Sequence, residues 1–174
     1  MTKTVKDCIK NVAVLVLIAL CSGLLLGAFN KLTYVDPKAE AMRKFSELYP
    51  KESAYELLTE NPEEGVIYVA ESGGTVAILS VGTGGYKGKV QTYVFFENGK
   101  IAYVEEGEHG ETYVGKLHDG GFFDKFRGAN ADGFNPEDYD GVTGASRSSA
   151  AVKRGVEIAA NYYSAHFAGG EFRG

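Results

Sequence analysis

Residues 11–30 read NVAVLVLIALCSGLLLGAFN, and none of them is Asp, Glu, Lys, Arg or His. As a helix, twenty residues reach about 30 Å, the thickness of a bilayer core. A cleaved signal peptide is the competing reading, but its apolar stretch is usually about 7–15 residues and ends in a small-residue cleavage site. This stretch is longer, and small polar residues do not gather at its end. A lipid anchor through Cys21 would need a small residue before the cysteine, where Leu20 stands. The segment is therefore read as one retained transmembrane helix, preceded by a cytoplasmic tail over residues 1–10. Lys3, Lys6 and Lys10 against Asp7 place that tail inside by the positive-inside rule. With a single span, everything after it lies on the other side of the lipid bilayer. Ala19, Gly23 and Gly27 fall at four-residue spacing, a pattern that lets one helix face pack closely on neighbouring helices.

The chain has 174 residues, enough for one domain of ordinary size beyond the span. Past residue 10 it holds 15 Lys and Arg against 22 Asp and Glu, a net charge of −7. That sign argues against nucleic acid as a partner, because a phosphate-binding face needs a basic surplus. Cys8 and Cys21 are the two cysteines, so the outer domain holds neither a disulfide nor a thiolate metal site.

Asp36-Pro37 reads as a helix start, with a capping carboxylate and Pro in the first turn. Ala39, Met42, Phe45 and Leu48 follow at helical spacing, and Pro50 closes the segment. A further helical turn or two is expected over Ser53–Thr59, which makes residues 31–60 a helical stalk. The outer domain is then residues 61–174. Val66–Glu71 and Thr75–Val81 flank Gly73-Gly74 as a hairpin. Lys89–Glu97 alternates, with Val90, Thr92, Val94 and Phe96 on one face. Asn98-Gly99 is a strong hairpin turn because both positions favour positive φ, and Lys100–Glu106 returns beside the strand. The chain is Gly-rich and irregular from Gly107 to Gly144, with Phe122, Phe123 and Phe126 on one short helix. A last helix begins near Ser148, with Val152, Val156, Ala159 and Tyr163 as its apolar stripe. Sheet first and helices at both ends give an α+β domain with a mainly antiparallel sheet.

Several common chemistries are missing. No Gly-x-Ser-x-Gly elbow is present. Gly88-Lys89 resembles the end of a phosphate loop, but Thr83 and Val90 break the pattern. His109, His118 and His166 have no paired metal spacing. His109 and His118 with Glu108, Glu111 and Asp119 are read as a solvated charged loop, and no metal site is assigned.

The informative segment is Asp140-Gly141-Val142-Thr143-Gly144-Ala145-Ser146, just before the last helix. Glycines permit close backbone approach, and hydroxyls cluster at Thr143, Ser146, Ser148 and Ser149. A helix start presents unpaired amides to an anion. Two readings stay open on the residues alone: a phosphate-sized anion site, or an ordinary Ser-capped helix behind a Gly turn.

Asp140–Ser146 resembles the flavinylation motif Asp-Gly-x-Ser/Thr-Gly-Ala-Thr of FMN-binding domains in the Rnf and Na⁺-pumping NADH:quinone oxidoreductase complexes. Gly84-Gly85-Tyr86, Asn98-Gly99-Lys100-Ile101, His109-Gly110-Glu111-Thr112 and Phe122–Gly128 resemble further family segments in the family's order. The chain departs from the family at two places. Ser146 stands where the family usually has Thr, and Glu111-Thr112-Tyr113-Val114-Gly115 stands for Glu-Thr-Pro-Gly-Leu-Gly.

The resemblance, with the G subunit of Rnf complexes as the nearest type, implies covalent FMN on Ser146 through a phosphoester. A separate Mg²⁺-dependent flavin transferase would attach it. Thr143, Gly144 and Ala145 would surround the phosphate, and Glu111, Thr112 and Val114 the ring. Tyr86, Tyr113 and the Phe122–Phe126 group are aromatic candidates beside the ring, with core packing as their alternative. The implied role is an electron-carrying subunit of a membrane translocase rather than a complete enzyme, with no catalytic residue of its own. Its partners would be other complex subunits, in a bacterial or archaeal cytoplasmic membrane. A free-standing membrane-anchored flavoprotein and a non-redox anion-binding module are the alternatives.

Overall fold

The computed structural model describes residues 3–51 and 53–167, with side chains described from residue 9 onward. Residues 168–174 and the side chains of Lys3, Lys6, Asp7 and Cys8 lie outside the described residues. The chain divides into two compact units, residues 1–37 and 38–174.

The first unit is helix α1, Lys3–Thr33. Its described side chains are exposed along the whole helix. Its most apolar 18-residue window has a mean hydropathy of 2.7, long and apolar enough to cross a bilayer.

The second unit is built on an antiparallel sheet of five strands in the order β1-β2-β3-β4-β5: β1 Glu56–Glu60, β2 Val66–Ser72, β3 Thr75–Gly82, β4 Val90–Glu97 and β5 Lys100–His109. Each strand pairs with the next in sequence, so short local turns set the register. Asn98 and Gly99 take φ of 50° and 78°, as the hairpin reading requires. Helix α2, Pro37–Leu48, covers one face of the sheet, and α4, Ser146–His166, covers the other. Between β5 and α4 run the short helix α3, Val114–Asp119, and two 3-10 turns at Phe123–Phe126 and Pro136–Asp138. The α+β architecture with flanking helices agrees with the sequence reading.

Three expectations change. Helical turns over Ser53–Thr59 are corrected: Glu56–Glu60 is an edge strand paired with β2, with a bulge between Leu57 and Thr59. Five residues are too few to show either period, and pairing with β2 decides the state. The helical part of the stalk therefore ends at Leu48. In α2 the buried stripe runs through Ala41 and Phe45, while Ala39 is exposed. Helix α3 is absent from the sequence reading, and its six residues begin after Tyr113 with no side-chain cap to announce them.

The α4 face buries Val69, Val76, Ile78, Val94 and Phe96 against Val152, Val156 and Ala159, with Phe122, Phe126 and Phe134 closing one flank. Those phenylalanines are core residues: Phe122 and Phe126 have no exposed surface and Phe123 little. The core alternative therefore holds for that group. The α2 face buries Phe45, Tyr55, Tyr93 and Phe95.

Candidate functional site

The position of α4 is set by backbone contact. A methyl group on Gly82, at the end of β3, would stand 1.8 Å from the Ala151 carbonyl oxygen. On the helix side, a methyl on Gly155 would stand 2.7 Å from Thr92 Oγ1. Ser80 Oγ donates to the Gly155 carbonyl at 2.8 Å across the same contact. The helix is thus held against β3 and β4 by close backbone contact at Ala151 and Gly155.

That first turn begins at Ser146, two residues earlier than the sequence suggested. Gly144, at φ 78°, swings the chain into the helix, a conformation that side chains other than Gly rarely adopt. Ala145 is the N-cap and supplies no side-chain cap. The serines that looked like caps do other work. Ser149 Oγ accepts from the Val142 amide at 3.0 Å and donates to the Ala145 carbonyl at 3.0 Å, folding the turn back on the helix. Ser148 Oγ donates to Glu111 Oε2 at 2.6 Å. Both serines are buried at 1% exposure, whereas Ser146 and Thr143 face solvent. The ordinary capped-helix reading does not describe this turn. At the start of any α-helix the first amides lack intrahelical acceptors, and here they belong to Ser146, Arg147 and Ser148.

Glu111 lies beneath this surface, at 7% exposure. Its Oε1 accepts from the Lys87 amide at 2.6 Å, and its Oε2 takes the Ser148 hydroxyl. Burial pushes its pKa up. The Ser148 hydroxyl, the Lys87 and Tyr86 amides and nearby His109 outweigh that, so the net direction is down. Glu111 therefore ties the turn after β3 to the first turn of α4.

The expected cofactor contacts divide. Thr112 is exposed, while Val114 and Ala145 are buried at 3% and 4% in the main core. The stretch expected to lie as a loop over the ring instead begins helix α3 at Val114. The Asp140 carbonyl accepts from Lys125 Nζ at 3.1 Å, so it is the main chain of this residue that is held.

Two of the aromatic candidates stand out. Beyond residue 35, the exposed large apolar side chains among the described residues are Leu57, Tyr86 and Tyr113. Tyr86 and Tyr113 form an edge-on pair with ring centroids 6.2 Å apart. Core packing thus fails as their explanation. Lys116 Nζ lies 5.1 Å from the centre of the Tyr113 ring and 3.1 Å from where a Cβ on Gly144 would be. A hydroxyl, free amides, an ammonium and an open aromatic pair suit a ligand with a phosphate and a flat ring. Nothing in local sequence signals Lys116, because only the unforeseen helix α3 carries it to the turn.

The histidines are dispersed. His118 meets Glu106 Oε1 at 2.6 Å and Glu105 Oε1 at 3.4 Å, rather than Glu108, Glu111 and Asp119. It also lies on the Phe123 ring at 4.9 Å. The Glu106 bond raises the His118 pKa. His166 Nε2 lies 3.0 Å from Glu63.

No curated protein matches the chain. Residues 85–161 match the family model of the FMN-binding domain. That stretch contains β4, β5, α3 and α4 as far as Asn161, and with them every group just described from Tyr86 to Ser149. The match supports a flavin-binding role for residues 85–161, with FMN as the cofactor.

Proposed function

We propose that Ser146 carries FMN through a phosphoester and that the chain is an electron-transfer subunit of a membrane-bound, ion-translocating oxidoreductase of the Rnf type. The observation that carries the reading is the exposed Ser146 hydroxyl on the first turn of α4, inside the matched stretch. Its neighbours Ser148 and Ser149 are buried and bonded, so a separate attaching enzyme reaches Ser146 and not them.

Attachment uses FAD and Mg²⁺ in that enzyme. The Ser146 Oγ–P bond forms as the P–O bond of the FAD pyrophosphate breaks. AMP leaves with the bridging oxygen, and the serine proton passes to a base of the transferase. The phosphodiester keeps one negative charge beside the amides of the first turn, a placement worth about 0.3–2 kcal/mol. When bound, FMN supplies the electron transfer. The protein holds the phosphate at α4, and Glu111 fixes Ser148 and the Tyr86–Lys87 turn at one spacing. Tyr86 and Tyr113 offer the apolar surface for the ring.

Helix α1 anchors this unit in the membrane, with the N-terminus in the cytoplasm and the flavin on the other side. A covalent tether keeps the cofactor where diffusion would otherwise remove it. Residues 11–30 hold no Asp, Glu, Lys, Arg or His, so the ion path belongs to partner subunits.

The test is co-production with a flavin transferase. Ser146→Ala is expected to abolish in-gel flavin fluorescence with an unchanged thermal midpoint. Fluorescence that persists in the variant contradicts attachment at Ser146 and moves it to Thr143, the exposed hydroxyl two residues before Ala145.

A further inference from the structure

We propose that Lys116 is the counter-charge of the phosphate tethered at Ser146, a positioning role that rests on the reading of Ser146 just given. Three observations converge on this side chain. Helix α3 is seated against the 140–145 turn: a methyl on Gly120 would stand 3.2 Å from Val142 Cγ2. The seating carries Lys116 Nζ to 3.1 Å from the Cβ position of Gly144, two residues before Ser146. The Tyr113 ring lies 5.1 Å from the ammonium and gives it a preferred direction.

The third observation concerns partners. Lys125 and Lys153, the other lysines at this turn, donate to the carbonyls of Asp140 and Tyr139. Lys153 also reaches Glu137 at 3.9 Å. Among the described residues Lys116 forms no ion pair, although the domain around it is acidic. An ammonium left without a carboxylate in an acidic domain, facing a turn where a side chain at Gly144 would meet it, suits an anionic ligand. A phosphodiester is that ligand: it holds one charge at neutral pH and its two free oxygens both accept hydrogen bonds.

Arg147 is the natural comparison. It follows Ser146 directly and is exposed, but one step along an α-helix turns its side chain about 100° away from that of Ser146. Lys116 is required for phosphate placement, and Arg147 is not.

The experiment uses the full chain in detergent, incubated with purified flavin transferase, FAD and Mg²⁺. Initial rates of flavin incorporation are read by in-gel fluorescence and intact mass, and the loaded product by ³¹P NMR. Lys116→Gln is expected to load about tenfold more slowly, the span of one charge-assisted hydrogen bond, and to shift the ³¹P resonance. Lys116→Arg restores most of both, and Arg147→Gln leaves both near wild type. All variants keep the wild-type thermal midpoint, because both side chains are exposed. A loaded wild type together with a Lys116→Gln variant of unchanged ³¹P resonance overturns the proposal, whether or not its rate falls. A slow rate alone would assign the lysine to transferase docking. A wild-type chain that takes up no flavin overturns the reading of Ser146 itself.

Discussion

The two faces of the sheet are held by different means. On one face, α2 inserts Phe45 among Tyr55, Tyr93 and Phe95, with ring centroids 5.7, 5.5 and 5.8 Å away. On the other, α4 meets β3 and β4 through Gly82 and Gly155, with backbone against backbone. Large interlocked rings supply apolar burial, and their edges tolerate small shifts. A glycine contact has no such tolerance, and it fixes where the helix begins. The candidate site lies at the start of α4, on the face where position is set by contact and not by bulk. In this domain the backbone contact that seats α4 and the interlocked rings around Phe45 lie on opposite sides of one sheet.

Substitutions that move one quantity without the other sharpen that contrast. Phe45→Ala removes a ring with no exposed surface and is expected to cost about 3–5 kcal/mol. Urea denaturation measures the loss, while the folded fraction still takes up flavin at the wild-type rate. A loading defect per folded molecule would break the comparison. Gly82→Ala forces the Ala151 carbonyl to move and is expected to cost about 1–3 kcal/mol. The smaller destabilisation should come with the larger loading defect, measured by flavin fluorescence at matched folded concentration. Equal loading in the two variants would show that the α4 contact does not place the site.

Glu111→Gln carries the smallest stability effect, about 1.5 kcal/mol near neutral pH, because the amide retains one acceptor oxygen. Its pH dependence follows from the lowered pKa of Glu111. The carboxylate's contribution is complete above its unfolded value of about 4.3 and disappears as pH falls through the lower folded value. The stability curves of wild type and variant should therefore be apart at pH 7 and converge in acid. Curves that stay parallel down to pH 3 would mean that the carboxylate adds nothing as an anion.

Much of the sheet was legible because its signals are local. Gly73-Gly74 and Asn98-Gly99 mark turns, and alternation over Val90–Phe96 marks a strand. What escaped was set by distant partners. β1 exists because β2 offers an open edge, and α3 because Val114 and Leu117 enter the core. The motif was legible in the sequence, and the residues the fold brings beside it were not. Ser146 and Thr143 stand out in the motif, and both are exposed. Glu111 was read as a contact of the ring, but its oxygens are bound to Lys87 and Ser148. Spacing along a sequence cannot separate a carboxylate that faces a ligand from one that braces the turn beneath it. Lys116 could not be found without α3, and the exposure of Tyr86 and Tyr113 could not be found without the sheet.

Peptide mass spectrometry of the full chain, made with a flavin transferase present, tests the central claim most directly. The account predicts that the peptide containing Ser146 carries the mass of FMN less one water, with fragment ions assigning it to that serine. An unmodified Ser146 peptide from transferase-containing cells would contradict it.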